Sequence, residues 1–352
     1  MSALELNYEP VIFADTTDMS EDEWLASRRH GIGGSDAAAI MGISPFRTAR
    51  DIYFDKLNIA SVDDDGGNWV ALKIGHLLED LVAEIFSQKT GLQVYQRKRM
   101  FQHPIYPFML ADIDYFVKLP NGKTAILEIK TTNYNAKERW WRDGQEIVPE
   151  YYEAQGRHYM AVMNLDEVYF CCLYGNNEEE VIIRHIVRDY SYESELIFLE
   201  QCFWKENVMR RIPPDYTEEA PLIDASVKRY SGPVLRDAET PHLSEANKSR
   251  LAEYLELREQ KSEIDKISND LQKRMQRLRA LITAEMGQSC TAYCELGECR
   301  YKLTFNPVHR KEVKSADLLR LQTLFPEAYQ ACVSESEYRT FRVSQKDTES
   351  VA

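Results

Sequence analysis

Apolar positions along this chain recur in two rhythms, and the places where one gives way to the other mark its elements. From Gly75, the stretch GHLLEDLVAEIFSQKTG carries Leu77, Leu78, Leu81, Val82, Ile85 and Phe86 at helical spacing, with Gly91 as a stop. LQVYQRKRMF then alternates as a strand, FMLADIDYFVKL reads as a second strand, and TAILEIKTT as a third. YYEAQGRHYMAVMN returns to helical spacing, and EVYFCCLYG and EVIIRHIVRD predict a fourth and a fifth strand. The order from Gly75 is therefore α-β-β-β-α-β, then a further strand. YESELIFLEQCFWKENVMRRIPP is an amphipathic helix that Pro213 and Pro214 terminate.

Upstream, residues 1–20 read as a flexible or edge segment. Ser20, followed by Glu21, Asp22 and Glu23, starts a helix with its acids on the positive end of the dipole. Gly31, Gly33 and Gly34 break it, Ser35 is expected to cap DAAAIMG, and Gly42 to end it. A short helix over SPFRTARDIYFDKL is expected to open at Ser44 and Pro45, and Val62 to Gly67 is a loop. Downstream, 213–243 is rich in Pro, Asp and Ser and reads as a linker. A long charged helix fills an arm over 244–288, with Leu257, Ile264, Leu271 and Leu278 seven residues apart. Lys261 and Ser268 dilute the complementary seam, so an arm packed on its own domain and self-association both remain open. Residues 289–352 form a small α+β unit, with strands at CRYKLTFNPV and YRTFRVSQ around helical SADLLRLQTLFPEAYQACV. The compact domain itself is expected to span 1–212.

The chain has 352 residues, 44% of them hydrophobic, enough for a real core. A formal net charge of −14 argues against coating nucleic acid with the whole surface, so any DNA-facing track has to be local. No signal pattern and no membrane-length apolar run is present, which predicts a soluble, intracellular, cytoplasmic protein. Seven scattered cysteines fit reduced thiols. Cys290, Cys294 and Cys299 are spaced more loosely than zinc ligands, and buried or half-buried free thiols in a hairpin are expected there.

The candidate chemistry lies at the second and third strands. Glu128 and Lys130 are two residues apart on a strand, so they share a face while Ile129 points into a core. A hairpin through Leu119 to Lys123 folds Asp114 back to the same edge; Asp112, two residues earlier, competes for the role. Two carboxylates and an ammonium converging there make a Mg²⁺ site with a lysine beside an attacking water, and the Ile129 carbonyl could add an oxygen. A plain surface Glu–Lys pair is the alternative. Glu79 would be an auxiliary acid, or a helix-dipole partner. Gln155 could position the water or a phosphate oxygen, while His158 is read as packing or polar surface. Arg28 with Ser35 could cradle a phosphate. Basic–aromatic clusters lie at Arg97 to Arg99 and Lys137 to Arg142; in the latter, Arg139, Trp140 and Trp141 could meet a duplex end, or the tryptophans could pack under a loop.

These residues together carry a resemblance. Across about 20–210, RRHGIGGSDAAAIMGISPF, GHLLEDLVAEIF, MLADIDYFV with ILEIK, and AQGRHYMAVM resemble the YqaJ-type viral recombinases, relatives of lambda exonuclease in the PD-(D/E)XK nuclease superfamily. The resemblance implies an α/β fold of restriction-endonuclease type, with a mixed central sheet flanked by helices. It implies Mg²⁺-dependent hydrolysis of duplex DNA from 5′ ends, with two cations and with Mn²⁺ able to substitute. Asp114, Glu128 and Lys130 match the signature, Glu79 the upstream glutamate and Gln155 the glutamine. Arg28 and Ser35 match positions that grip a terminal 5′-phosphate. Ile113 stands where a proline often precedes the first acid. Implied partners are DNA ends, a single-strand annealing protein and further copies of the chain, in a bacterial cell that carries it as a phage or prophage gene. An endonuclease with the same site, or a catalytically silent DNA-end-binding scaffold, remains an alternative.

Overall fold

The computed structural model describes residues 7–59, 69–230, 242–297, 299–308 and 315–333. It forms two compact units, Met1–Ala238 and Glu239–Ala352.

The first unit opens on strand β1 (Val11–Asp15), so part of the N-terminal stretch is an edge strand. In α1 (Glu21–Arg28), Ser20 and Glu23 cap one another reciprocally. Helix α2 (Gly34–Ile40) starts at Gly33, not Ser35: the Gly33 amide donates to the Asp36 carboxylate at 2.9 Å, and Ser35 is left in the first turn with its hydroxyl available. Helix α3 (Ala49–Lys56) begins later than expected because Thr48 and Asp51 form the capping box, whereas Ser44 closes a local turn onto the amides of Phe46 and Arg47. The expected loop over Val62 to Gly67 lies outside the described residues. Helix α4 (Trp69–Thr90) starts ahead of Gly75, so Glu79 lies far inside it and the dipole reading of that residue falls.

The first two expected strands are each broken in two. The first divides into β2 (Gln93–Tyr95) and β3 (Arg99–Gln102), the second into β4 (Leu110–Asp112) and β5 (Tyr115–Lys118). Strand β6 (Thr124–Thr131) follows unbroken, then a small hairpin of β7 (Trp141–Arg142) and β8 (Gln145–Glu146). Helix α5 (Glu150–Met163) ends at Asn164 with φ 53°, and leads to β9 (Glu167–Leu173) and β10 (Val181–Val187). Helix α6 (Tyr190–Cys202) continues through a π-helical turn, Phe203–Val208.

One mixed sheet has the order β10-β9-β6-β5-β2; β6 and β9 are its parallel pair, joined through α5, and its other pairs are antiparallel. The other halves of the broken strands form a second antiparallel sheet, β1-β3-β4. The large sheet is buried on both faces. Ile126, Phe116 and Phe170 face Tyr159, Met160 and Met163 of α5. Leu127, Ile129, Val117 and Cys171 face Val82, Ala83 and Phe86 of α4. Each fully buried large side chain here contributes roughly 1.5–3 kcal/mol. On β6 this alternation places Glu128 and Lys130 on the α5 face.

Within the stretch expected as a linker, helix α7 (Ala220–Tyr230) packs on the same unit. Its Ser226 hydroxyl donates to Asp51 at 2.7 Å and the Tyr230 ring packs tilted against Phe54, their centres 4.4 Å apart. Leu222, Ile223, Val227 and Tyr230 do recur at helical spacing here, a short signal outweighed by the Pro, Asp and Ser residues around it.

The second unit contains α8 (Glu245–Met286), 42 residues and therefore about 63 Å long. Hairpin β11 (Thr291–Leu296) and β12 (Cys299–Thr304) follows, then α9 (Ser315–Leu324) and α10 (Pro326–Cys332), separated where Pro326 forces a new start. Leu257, Ile264, Leu271 and Leu278 are all more than half exposed. The hairpin forms as expected, but Cys290, Cys294 and Cys299 are exposed rather than buried or half-buried. The strand expected at YRTFRVSQ lies outside the described residues. Among the described residues, no helix is long and apolar enough to cross a membrane.

Candidate active site

The break between β4 and β5 is what builds the site. Asp114 sits in that break, one residue before the Tyr115–Leu127 pair of the β5–β6 ladder. It therefore falls beside Glu128, and its Oδ2 accepts from the Ile129 amide at 2.8 Å. Lys130 Nζ donates to Glu128 Oε1 at 2.6 Å. From α5, Gln155 Nε2 donates to the same Glu128 oxygen at 2.5 Å and to the Tyr159 hydroxyl at 3.3 Å. Four of the five expected groups thus meet here.

Burial and then the Glu128 charge raise the Asp114 carboxyl well above its ordinary range. Burial also raises Glu128, against the pull of Lys130. Burial alone would lower Lys130, but Glu128 and Asp114 overrule it and keep the ammonium charged. Glu128 Oε2 is buried with no hydrogen-bond partner. Hard cations take such oxygens, so a divalent ion fits here. Among the described residues no cluster of three or more His, Cys, Asp or Glu side chains could hold a metal. What the pocket offers instead is the Asp114–Glu128 carboxylate pair with one free Glu128 oxygen, a partial set that suits an ion which keeps several waters. Glu79 stands at the cleft lip, 3.0 Å from His76 Nδ1.

The other wall comes from the turn between α1 and α2. Arg28 reaches the Ser35 hydroxyl at 2.7 Å, and its guanidinium lies 4.8 Å from the centre of Trp24. Trp24 in turn donates to Asp112 at 2.6 Å, so Asp112 supports this wall while Asp114 joins Glu128. Asp36 lies 3.6 Å from Arg28 and 2.7 Å from Lys56. Both walls line one open cleft of about 580 Å³, which also takes in Arg97 and Lys98 from the β2–β3 connection.

The Lys137 to Arg142 cluster is not part of that cleft. Trp140 is 2% exposed and packs in the core near Tyr152 and Phe170, so it is unable to wedge into bases. Trp141 is partly exposed and stacks under Arg184 of β10. Arg139 is exposed, away from the cleft lining. His158 is fully buried, held by Glu200 at 2.7 Å and the Leu110 carbonyl at 2.8 Å, a packing role as expected.

Sequence reasoning missed Trp24, Tyr159 and the Asp36–Lys56 pair. The first two carried a signal: each lies four residues from an expected site residue on the same helix face. Lys56 carried none, because its partner is set by tertiary packing.

The fold and the site define a mixed α/β domain that presents a carboxylate pair and a lysine to an open cleft. A model of the YqaJ-like viral recombinase domain matches residues 23–166. The uncharacterised protein YqaJ of Bacillus subtilis (strain 168) is 32% identical over 342 residues, covering 95% of this chain and 97% of that one. The chain belongs to the YqaJ-like viral recombinase family. Among solved structures, LHK-Exo, an alkaline exonuclease from Laribacter hongkongensis, aligns with a TM-score of 0.43 at 19% identity, covering 54% of this chain and 94% of that chain. A phage-related exonuclease from Haemophilus somnus 129PT aligns at 0.40 and 14% identity, covering 51% and 96%.

Proposed function

We propose that this protein is a Mg²⁺-dependent exonuclease that degrades double-stranded DNA from 5′ ends, serving phage-type homologous recombination by single-strand annealing. The observation that supports it most is the meeting, in one cleft, of the Asp114–Glu128–Lys130 pocket and the Arg28–Ser35 pair. Asp114, Glu128 and the Ile129 carbonyl would hold two cations, with Glu79 as an outer acid and Mn²⁺ able to substitute. When bound, the cations make water a better nucleophile at neutral pH and neutralise charge on the departing oxygen.

The chain's own residues do the rest. Lys130 holds the hydrolytic water and offsets charge on the crowded phosphate. Gln155 fixes the Glu128 carboxylate and so the direction of its free oxygen. Arg28 and Ser35 take the terminal 5′-phosphate, and Arg97 and Lys98 lend the local positive charge that an acidic protein needs at its DNA-facing side. The product is a single-stranded tail for an annealing protein, and the working form is a homo-oligomer in the bacterial cytoplasm.

Three substrates test the reading: 5′-phosphorylated linear duplex, 5′-hydroxyl linear duplex and covalently closed circles, each with Mg²⁺. The phosphorylated linear form is expected to be degraded fastest and the circles to survive. Lys130→Ala is expected to be slower by about 100-fold or more. Cut circles would instead indicate an endonuclease, and shifted but intact ends a scaffold.

A further inference from the structure

Tyr159 stands between the two walls of the cleft, and its hydroxyl has one capacity left unused. The Gln155 amide nitrogen spends one hydrogen on Glu128 and the other on the Tyr159 oxygen, so the phenol accepts from it. Among the described residues the phenol proton has no acceptor. The residue is 6% exposed and lines the cleft. Burial, then Glu128 and Asp114, push its ionisation well above the ordinary value. A buried hydroxyl with an idle donor is costly unless something arrives to accept.

The ring is held as firmly as the hydroxyl. A Cβ on Gly34 would lie 2.5 Å from Tyr159 Cε1, so the α2 backbone rests directly on the ring, and only glycine permits that approach. The ring, up to the carbon that bears the hydroxyl, thus rests beside the Arg28–Ser35 wall, while the hydroxyl oxygen is bonded from the Gln155–Glu128 side. Groups nearby that could meet it from a ligand are acceptors, since Lys130 and Arg28 select anions.

We propose that the Tyr159 hydroxyl donates a hydrogen bond to a non-bridging oxygen of the phosphate undergoing cleavage, which makes it a further catalytic residue. The assignment rests on the nuclease reading above. The hydroxyl-bearing carbon also lies against Gly34 and the phenol bears on the charge of Arg28, but the hydroxyl's one hydrogen bond ties it to Glu128 through Gln155, and that tie assigns the donor to the phosphate undergoing cleavage and not to the terminal phosphate.

Tyr159→Phe tests this, because it keeps the ring against Gly34 and removes only the donor; its urea midpoint should match the wild type. Single-turnover rates on 5′-phosphorylated and 5′-hydroxyl duplexes should both fall by about 100-fold. On a Gln155→Ala background, measured in the same way, the Phe substitution should still lower the rate further, by less than in the wild type because the two side chains are hydrogen-bonded neighbours. An active wild type with an unchanged Tyr159→Phe rate overturns the proposal alone. So does a loss confined to phosphorylated ends, or no further loss on the Gln155→Ala background, where the hydroxyl would only be positioning Gln155. A wild type without nuclease activity removes the nuclease reading and this proposal together.

Discussion

Lys56 has no exposed side-chain surface, and its ammonium lies 2.7 Å from an Asp36 carboxylate that is almost as deeply buried. Burial alone would raise the Asp36 carboxyl; Lys56, then Arg28 and the Gly33 amide, hold it well below the usual range instead. With Asp36 answered by Lys56, Arg28 keeps charge to offer an incoming phosphate. Asp36→Asn removes the partner of a buried cation and should destabilise the protein by about 3–5 kcal/mol, read from urea unfolding. The Asp36 contribution is present above its unfolded pKa and fades only as pH falls through its lowered folded value. The side chains of the carboxylate–lysine pocket were the readable part of this site: Glu128, Lys130 and Asp114 follow from strand periodicity and one hairpin, and Gln155 from the helix behind them. Trp140 shows the limit. A Trp-Trp pair next to basic residues reads the same whether it faces DNA or a core, and only packing decides.

Elements were readable where a single run of residues makes one uninterrupted element, as in β6, α5 and α8. They were misread where one run of residues serves two sheets. The β4–β5 run is continuous in hydrophobicity because both halves are buried, yet it turns at Ile113–Asp114, and that turn presents Asp114 to Glu128. The α2–α5 contact gives a second test. Gly34→Ala would press its Cβ into the Tyr159 ring, and overpacking of this kind should cost about 1–3 kcal/mol in a thermal or urea melt. A third concerns the turn after β3. His103 Nδ1 accepts from the Ile105 and Tyr106 amides, and burial, then His158 and Arg188, lower its pKa to about 4. The unfolded chain takes up this proton near pH 6.5, whereas the folded one resists until about 4. Stability from His103 is therefore complete above pH 6.5 and should decline as pH falls from there to about 4. A urea midpoint series across that window should slope less in His103→Asn.

The chain as a whole divides later than its composition suggests, because α7 belongs to the first unit through Ser226, Arg229 and Tyr230. Truncation after Ile212 should therefore melt lower than truncation after Ala238, since it strips the partners of Asp51 and Phe54 from α3. The mixed sheet, its parallel β6–β9 step and its two helical covers all serve to hold Asp114, Glu128, Lys130 and Gln155 in one place, facing Arg28 and Ser35 across a single cleft. That joint placement is the physical claim on which the function rests. Its most direct test follows nucleotide release from a 5′-phosphorylated linear duplex as Mg²⁺ is titrated, for the wild type and for Glu128→Gln. The predicted result is release that rises and saturates with Mg²⁺ in the wild type and falls by about 100-fold or more in the variant. Release that ignores Mg²⁺, or that is equal in the two proteins, would contradict the account.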